Sequence, residues 1–115
     1  MKIAFQADAD LDPDIGNGLR RRMPAIDFRD AGAVIPDGTP DMVVLGIAAD
    51  DGRVLVSRDL HTMARHLRGF LTHRDSPGVI LVPSTRSIGE AIERLLFVWQ
   101  TWTPGDVRNQ ARWLP

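Results

Sequence analysis

TPDMVVLGIAADDGRVLVSRD (39–59) is the stretch of the chain that decides the fold. Thr39-Pro40 is predicted to begin a helix, and Asp50-Asp51-Gly52 to end it. The helix is expected to bury one apolar face, made of Val43, Val44, Ile47 and Ala48. The strand RVLVS (53–57) follows at once, and its adjacent apolar residues are typical of a strand buried on both faces, as in a parallel sheet.

The segments on either side repeat this alternation. Three further short apolar runs have strand character: KIAFQA (2–7), AIDFRD (25–30) and VILV (79–82). Asp12-Pro13 is predicted to cap a helix that ends near Pro24, with Ile15, Leu19 and Met23 recurring every four residues. Asp59 is placed to cap the next helix, which carries Leu60, Met63, Ala64, Leu67 and Leu71.

The last helix has the clearest signal. Ser87 and Glu90 form an S-x-x-E capping box, and Thr103-Pro104-Gly105 ends the helix. One broad face is apolar, made of Ile88, Ala91, Ile92, Leu95, Leu96, Trp99 and Trp102. The two tryptophans are therefore expected in the core or at an interface rather than stacked on bases.

Strands and helices alternate with short links, so the fold class predicted is α/β. We expect a three-layer α/β/α domain with a mainly parallel sheet of four to five strands. Residues 1–115 form one domain, because this length supports one core and is too short for two. Residues 103–115 are a tail that either adds an edge strand or lies over the core with Trp113.

Composition excludes several classes of function. There is no cysteine, which rules out disulfides, thiolate metal sites and cysteine nucleophiles, and three histidines give little support for zinc. The net charge of −1 argues against a protein that coats DNA. No apolar run approaches the roughly 18 residues of a membrane span, and no signal peptide is apparent. The chain is expected to be cytoplasmic and without a membrane partner.

Three aspartates follow or face strand ends. Asp8 follows the first strand, Asp59 follows the strand 53–57, and Asp41 opens a helix after a strand and loop. All three are expected at the carboxyl edge of the sheet, where ligands bind in open α/β folds. Carboxylates gathered there favour a hard cation such as Mg²⁺ or Mn²⁺.

Each aspartate also has a purely structural interpretation. Asp8 and Asp10 belong to the turn D-A-D-L-D-P-D, Asp41 gains from the helix dipole, and Asp59 is a good N-cap. These interpretations stay open for each residue singly. The shared sheet edge favours the metal site, because independent caps need not lie together.

FQADADL (5–11), TPDMVVLGIAADDGRVLVSRD (39–59) and GVILVP (78–83) together resemble the compact bacterial PIN-like domains. That family has a strand ending in D-x-N-L, a helix opened by an acid, an acidic-Gly turn and a strand ending in T/S-x-D. The chain has Asp10 where the family has Asn. It has Pro83-Ser84 where full-length members have a further acid.

The resemblance implies a Mg²⁺- or Mn²⁺-dependent ribonuclease whose metal activates water for attack on a phosphodiester. Many members are VapC-like toxins held inactive by a small antitoxin protein. Carried over by position, Asp8, Asp41 and Asp59 are metal ligands, with Asp10 as an added candidate. Ser57 takes the T/S position, where its hydroxyl can bond a carboxylate or the metal-bound water.

RNA contacts are assigned to Arg20, Arg21 and Arg58, although a solvated helix face or a pairing with a neighbouring charge explains them as well. A homodimer is a further partner that the sequence leaves open. The alternative function is a PIN-like module of weak activity that binds RNA or a partner. A receiver-like signalling domain is disfavoured, because Lys2 is the sole lysine.

Overall fold

The computed structural model describes residues 1–32, 34–58 and 61–115. The predicted ligand Asp59 and the predicted helix residue Leu60 lie outside the described residues. In chain order, the elements are β1 (Phe5–Ala7), α1 (Pro13–Arg22), β2 (Phe28–Arg29), α2 (Asp41–Asp50), β3 (Val54–Ser57), α3 (Met63–Phe70), β4 (Val79–Leu81), α4 (Ile88–Thr101), α5 (Pro104–Val107) and β5 (Ala111–Trp113).

The five strands form one sheet in the order β2-β1-β3-β4-β5, and every pair is parallel. The predicted α/β class with a parallel sheet is confirmed. This order is the flavodoxin-like one, whose topological switch point lies between β1 and β3. The ligand-binding edge is therefore expected outside the carboxyl ends of these two strands.

Two apolar clusters cover the two faces of the sheet, which gives the three predicted layers. On one face, α1 and α4 pack over side chains such as Phe5, Val56 and Ile80. On the other, α2 and α3 pack over Leu55, Val79 and Leu81. Alternation along β3 and β4 sends successive side chains to opposite faces, so both clusters draw on the same strands.

Local chemistry explains most element boundaries. Asp12 caps α1 by accepting a hydrogen bond from the Asp14 amide, and the Ser87–Glu90 capping box is formed at α4 as predicted. Two expectations were wrong. The Thr39 hydroxyl donates to the Pro36 carbonyl and does not cap α2. The N-cap of α3 is Thr62, whereas the sequence predicted a cap three residues earlier.

The predicted buried face of α2 also needs correction. Val43 is 50% exposed, whereas Leu45 is buried beside Val44 and Ala48. Five of the six residues 43–48 are apolar, since only Gly46 interrupts them, so spacing alone does not show which side of the helix meets the sheet. The packing of α2 across β3 determines which side of the helix is buried.

The crossover through α4 differs in hand from the others. The steps from β3 to β4 and from β4 to β5 go the same way across the sheet, yet α3 and α4 lie on opposite faces. The crossovers through α1, α2 and α3 share one hand and β4-α4-β5 has the opposite one, whereas such crossovers in one sheet normally share the same, right, hand. On the α2/α3 face of β5, Ala111 packs against the apolar cluster, whereas Trp113 is 55% exposed and does not lie over the core.

None of the helices in the described part of the chain is long and apolar enough to cross a bilayer.

Candidate functional site

Asp8 and Ser57 are cross-strand neighbours at the switch point. The register pairs Ala7 with Val56, and the Asp8 amide donates to the Val56 carbonyl at 2.9 Å. Ser57 Oγ donates to Asp8 Oδ2 at 2.9 Å, and the Ala9 amide donates to Asp8 Oδ1 at 2.8 Å. Each carboxylate oxygen thus accepts a bond that fixes its orientation.

Burial makes this contact unusual for a carboxylate. Asp8 is 7% exposed and Ser57 is fully buried. Ser57 lies two residues after Leu55, whose side chain packs under α2 and α3, and Asp8 bonds Ser57, so both side chains lie on that face of the sheet. A charged group taken out of water needs partners, and the Ser57 hydroxyl is one of them.

Asp41 reaches the same edge from α2. It is the first residue of that helix, and its Oδ2 lies 3.3 Å from the Thr62 hydroxyl and 3.4 Å from His66 Nε2. Both of these partners belong to the start of α3. The carboxylate therefore connects the amino-terminal ends of α2 and α3, on the same side of the sheet as Asp8.

The partners of the two carboxylates are close together in sequence. Ser57 bonds Asp8, and Thr62 bonds Asp41. In sequence, Asp59 stands between them, outside the described residues. Among the residues that the structure does describe, no three histidines, aspartates or glutamates are grouped so as to hold a metal ion.

The remaining predicted ligand, Asp10, is nearby. The Arg58 amide donates to Asp10 Oδ1 at 3.5 Å, which ties the D-A-D turn to the end of β3. This bond gives Asp10 a local structural role whether or not it meets a cation.

Two of the three arginines predicted to bind RNA have internal partners. Arg20 forms a 2.8 Å ion pair with Asp30 and donates to the Phe28 carbonyl. Arg58 Nη2 donates to the carbonyls of Pro83 and Arg86 at 3.2 and 3.0 Å. Arg21 is exposed at the far end of α1.

Sequence reasoning missed two polar residues near this edge. Gln6 is fully buried; its Nε2 donates to the Ala7 and Asp30 carbonyls, and its Oε1 accepts from Arg29. A single amide inside an apolar strand was the available signal. His66 had no such signal, because its contact with Asp41 depends on how α3 packs against α2.

A pocket of about 270 Å³ opens on the β2 side of Asp8. Its lining combines apolar side chains with carboxylates and includes Ala7, Ala9, Leu11, Phe28, Ile35, Asp12, Asp30 and Asp37. Asp8, Ser57 and Asp41 are not part of this lining, although Ala7 and Ala9, on either side of Asp8, are. The pocket thus adjoins the Asp8–Ser57 contact rather than enclosing it.

Comparison of the chain with models of protein families, with curated proteins and with solved structures finds no match in any of the three.

Proposed function

We propose that this chain is a divalent-metal-dependent ribonuclease that hydrolyses phosphodiester bonds, and that it is the toxin half of a toxin–antitoxin pair with a small protein partner. The observation that carries the proposal is the buried Asp8–Ser57 hydrogen bond at the β1–β3 switch point. A carboxylate kept at a ligand-binding edge, and oriented by a buried hydroxyl, is what a cation site requires.

The donors available suit Mg²⁺ or Mn²⁺. Asp8, Asp41 and Asp59 would hold the metal, and Asp10 is an additional carboxylate at the same edge. All supply oxygen, the ligand that these hard cations prefer. When bound, the metal would lower the pKa of a water molecule and stabilise charge developing on the phosphate.

The protein residues supply orientation. Ser57 and the Ala9 amide fix both oxygens of Asp8, while Thr62 and His66 hold the carboxylate of Asp41. Such partners keep ligands aligned before the substrate arrives, so less reorganisation is needed on binding.

One observation favours the alternative of an RNA- or partner-binding module with weak turnover. Pro83-Ser84 supplies no carboxylate after β4, so the edge has one acidic side chain fewer to hold a metal. In that case the edge would bind a cation or RNA without efficient hydrolysis. Measurable Mn²⁺ binding together with intact RNA would support this alternative.

The test is cleavage of varied RNAs by the purified chain with Mn²⁺, with and without EDTA. We expect cleavage that EDTA abolishes and that Asp8→Asn removes. Asp75→Asn is the matched control, because it makes the same charge change at an exposed pair with Arg108. If the Asp8→Asn protein cleaves as fast as the Asp75→Asn protein, the proposed ribonuclease is wrong.

The toxin role has its own test. Expression of the parent chain in a bacterium is expected to arrest growth, whereas equal amounts of the Asp8→Asn protein should not. Growth arrest by both proteins would show that toxicity does not depend on the proposed chemistry.

A further inference from the structure

Most of the arginines have partners inside the protein. Among residues 1–32, 34–58 and 61–115, only four make neither a side-chain hydrogen bond nor an ion pair: Arg21, Arg22, Arg65 and Arg68. They form two pairs on opposite faces of the sheet, one on α1 and one on α3. These four are the arginines available to an external anion.

The pair on α3 forms a continuous patch. Arg65 and Arg68 are three residues apart, which places them on one side of the helix. Both are exposed, while Met63, Leu67 and Phe70 are buried on the side facing the sheet. We refer to Arg65 and Arg68 as the α3 basic stripe.

This stripe begins beside the acidic edge. Thr62, the N-cap of α3, contacts Asp41. Arg65 follows three residues later, about 4.5 Å along the helix axis, and Arg68 lies about 9 Å along it. On α1, Arg21 and Arg22 are instead about 12–14 Å along the helix from Pro13, which starts at that edge. Only the α3 pair is adjacent to the candidate site.

Helix electrostatics explain the α1 pair and also Arg68, which lies in the last turn of α3, but they do not explain Arg65. Arg21 and Arg22 lie in the last turn of α1, where the helix dipole stabilises cations. Arg65 lies in the first turn of α3, where the dipole disfavours a cation, and that turn holds no acidic residue to offset it. The dipole of α3 therefore gives no reason for a cation at Arg65, whereas the Asp41 carboxylate at the start of the helix places Arg65 beside the acidic edge.

We infer that Arg65 and Arg68 bind the phosphates of a single-stranded RNA and bring its backbone to the acidic edge. This inference rests on the proposed ribonuclease function. Carboxylates at the edge repel a polyanion, so a neighbouring cationic surface is needed to attract it. Arg20 and Arg58, engaged with Asp30 and with backbone carbonyls, are not available in the same way.

The test is the binding of a short fluorescein-labelled single-stranded RNA, followed by fluorescence anisotropy in EDTA so that cleavage is excluded. The parent chain is compared with Arg65→Gln/Arg68→Gln and with the matched control Arg22→Gln/Arg108→Gln. Both double variants remove two positive charges from exposed positions, the control positions were not assigned to RNA, and thermal unfolding checks that both variants are folded.

Loss of two phosphate contacts should reduce the slope of log K against log [salt] by about 1.4, since each contact to a single strand contributes about 0.7. We expect this reduction only for the α3 variant, with weaker binding to all RNA sequences alike. Equal losses in both variants would overturn the inference, because they would reflect net charge alone. No change in the α3 variant would overturn it as well.

Two further outcomes are informative. If the parent chain binds polyglutamate through the stripe more tightly than it binds RNA, the stripe serves an acidic protein and the inference is wrong. If RNA binding depends on the stripe but no metal supports cleavage, the inference stands and the proposed ribonuclease function fails.

Discussion

The Ser57 hydroxyl and the Asp8 carboxylate meet across the β1–β3 pair at 2.9 Å, with Ser57 fully buried and Asp8 7% exposed. The two residues are far apart in sequence and are joined only by the parallel pairing of their strands. Their contact links the stability of the sheet centre to the geometry of the candidate site.

Ser57→Ala is expected to lower the free energy of unfolding by about 1–3 kcal/mol, because a buried carboxylate oxygen loses this donor. Urea denaturation measures the change. Ser57→Thr keeps the hydroxyl on a residue that suits a strand, so its loss should be smaller. Equal stability of the Ala variant and the parent would show that the bond contributes nothing.

Arg58→Ala is expected to lower the stability of the fold and to leave the RNA affinity nearly unchanged. Removal of the guanidinium deprives the Pro83 and Arg86 carbonyls of a charged donor, at a cost of about 1–3 kcal/mol. Thermal unfolding measures the loss. Anisotropy at a temperature where the variant is folded should give an RNA affinity near that of the parent. A stable variant that fails to bind RNA would instead support the sequence-based assignment of Arg58.

Two glycine substitutions should have opposite effects. Gly78 has φ +110°, and a Cβ there would lie 2.1 Å from the Val107 carbonyl oxygen, so Gly78→Ala must displace α5 or strain the backbone. Gly46 lies inside α2 with open space around a Cβ, so Gly46→Ala should stabilise by up to about 1 kcal/mol. Parallel urea titrations compare them, and a Gly78→Ala protein as stable as the parent would contradict the close approach of α5.

The capping box of α4 should contribute to acid sensitivity. The hydrogen bond from the Ser87 backbone amide to the Glu90 carboxylate, together with the Ser87 hydroxyl and a smaller effect of Arg86, holds the pKa of Glu90 below its ordinary value. A carboxyl with a lowered pKa stabilises the fold above its ordinary pKa, and that stabilisation is lost as the pH falls through the folded-state pKa.

Glu90→Gln keeps the capping geometry but removes the charge. The stability difference between parent and variant should therefore be largest near neutral pH and should shrink in acid. Urea denaturation at several pH values measures it. Glu93→Gln, one turn further along α4, is the control, and the same pH dependence in both variants would show that the cap is not its source.

The sequence predicted the elements whose signals are local. Asp12-Pro13 and the Ser87–Glu90 box identify the starts of α1 and α4 because capping acts within one turn. The apolar run of β3 is recognisable because a central parallel strand is buried on both faces. Asp8 and Asp41 were expected at one sheet edge because the carboxyl ends of parallel strands lie at the same edge of a sheet.

What could not be predicted depends on contacts between distant segments. The side of α2 that buries Leu45 instead of Val43 is set by the packing of the helix on the sheet. The partners of Arg20, Arg58 and His66 are brought near by tertiary structure, so their side chains could be assigned to RNA or solvent only as hypotheses. The hand of the α4 crossover has no signal in the spacing of residues.

The exposed edge at β5 has a consequence for solubility. An edge strand has unpaired backbone N–H and C=O groups that can pair with another chain. The exposed Trp113 side chain adds an apolar surface that favours aggregation. The chain limits this risk in two ways: Arg112 places a charge in the middle of the strand, stacked on Trp102, and Pro115 lacks the amide that would extend the ladder. Arg112 and Pro115 thus limit pairing and aggregation at this exposed edge strand.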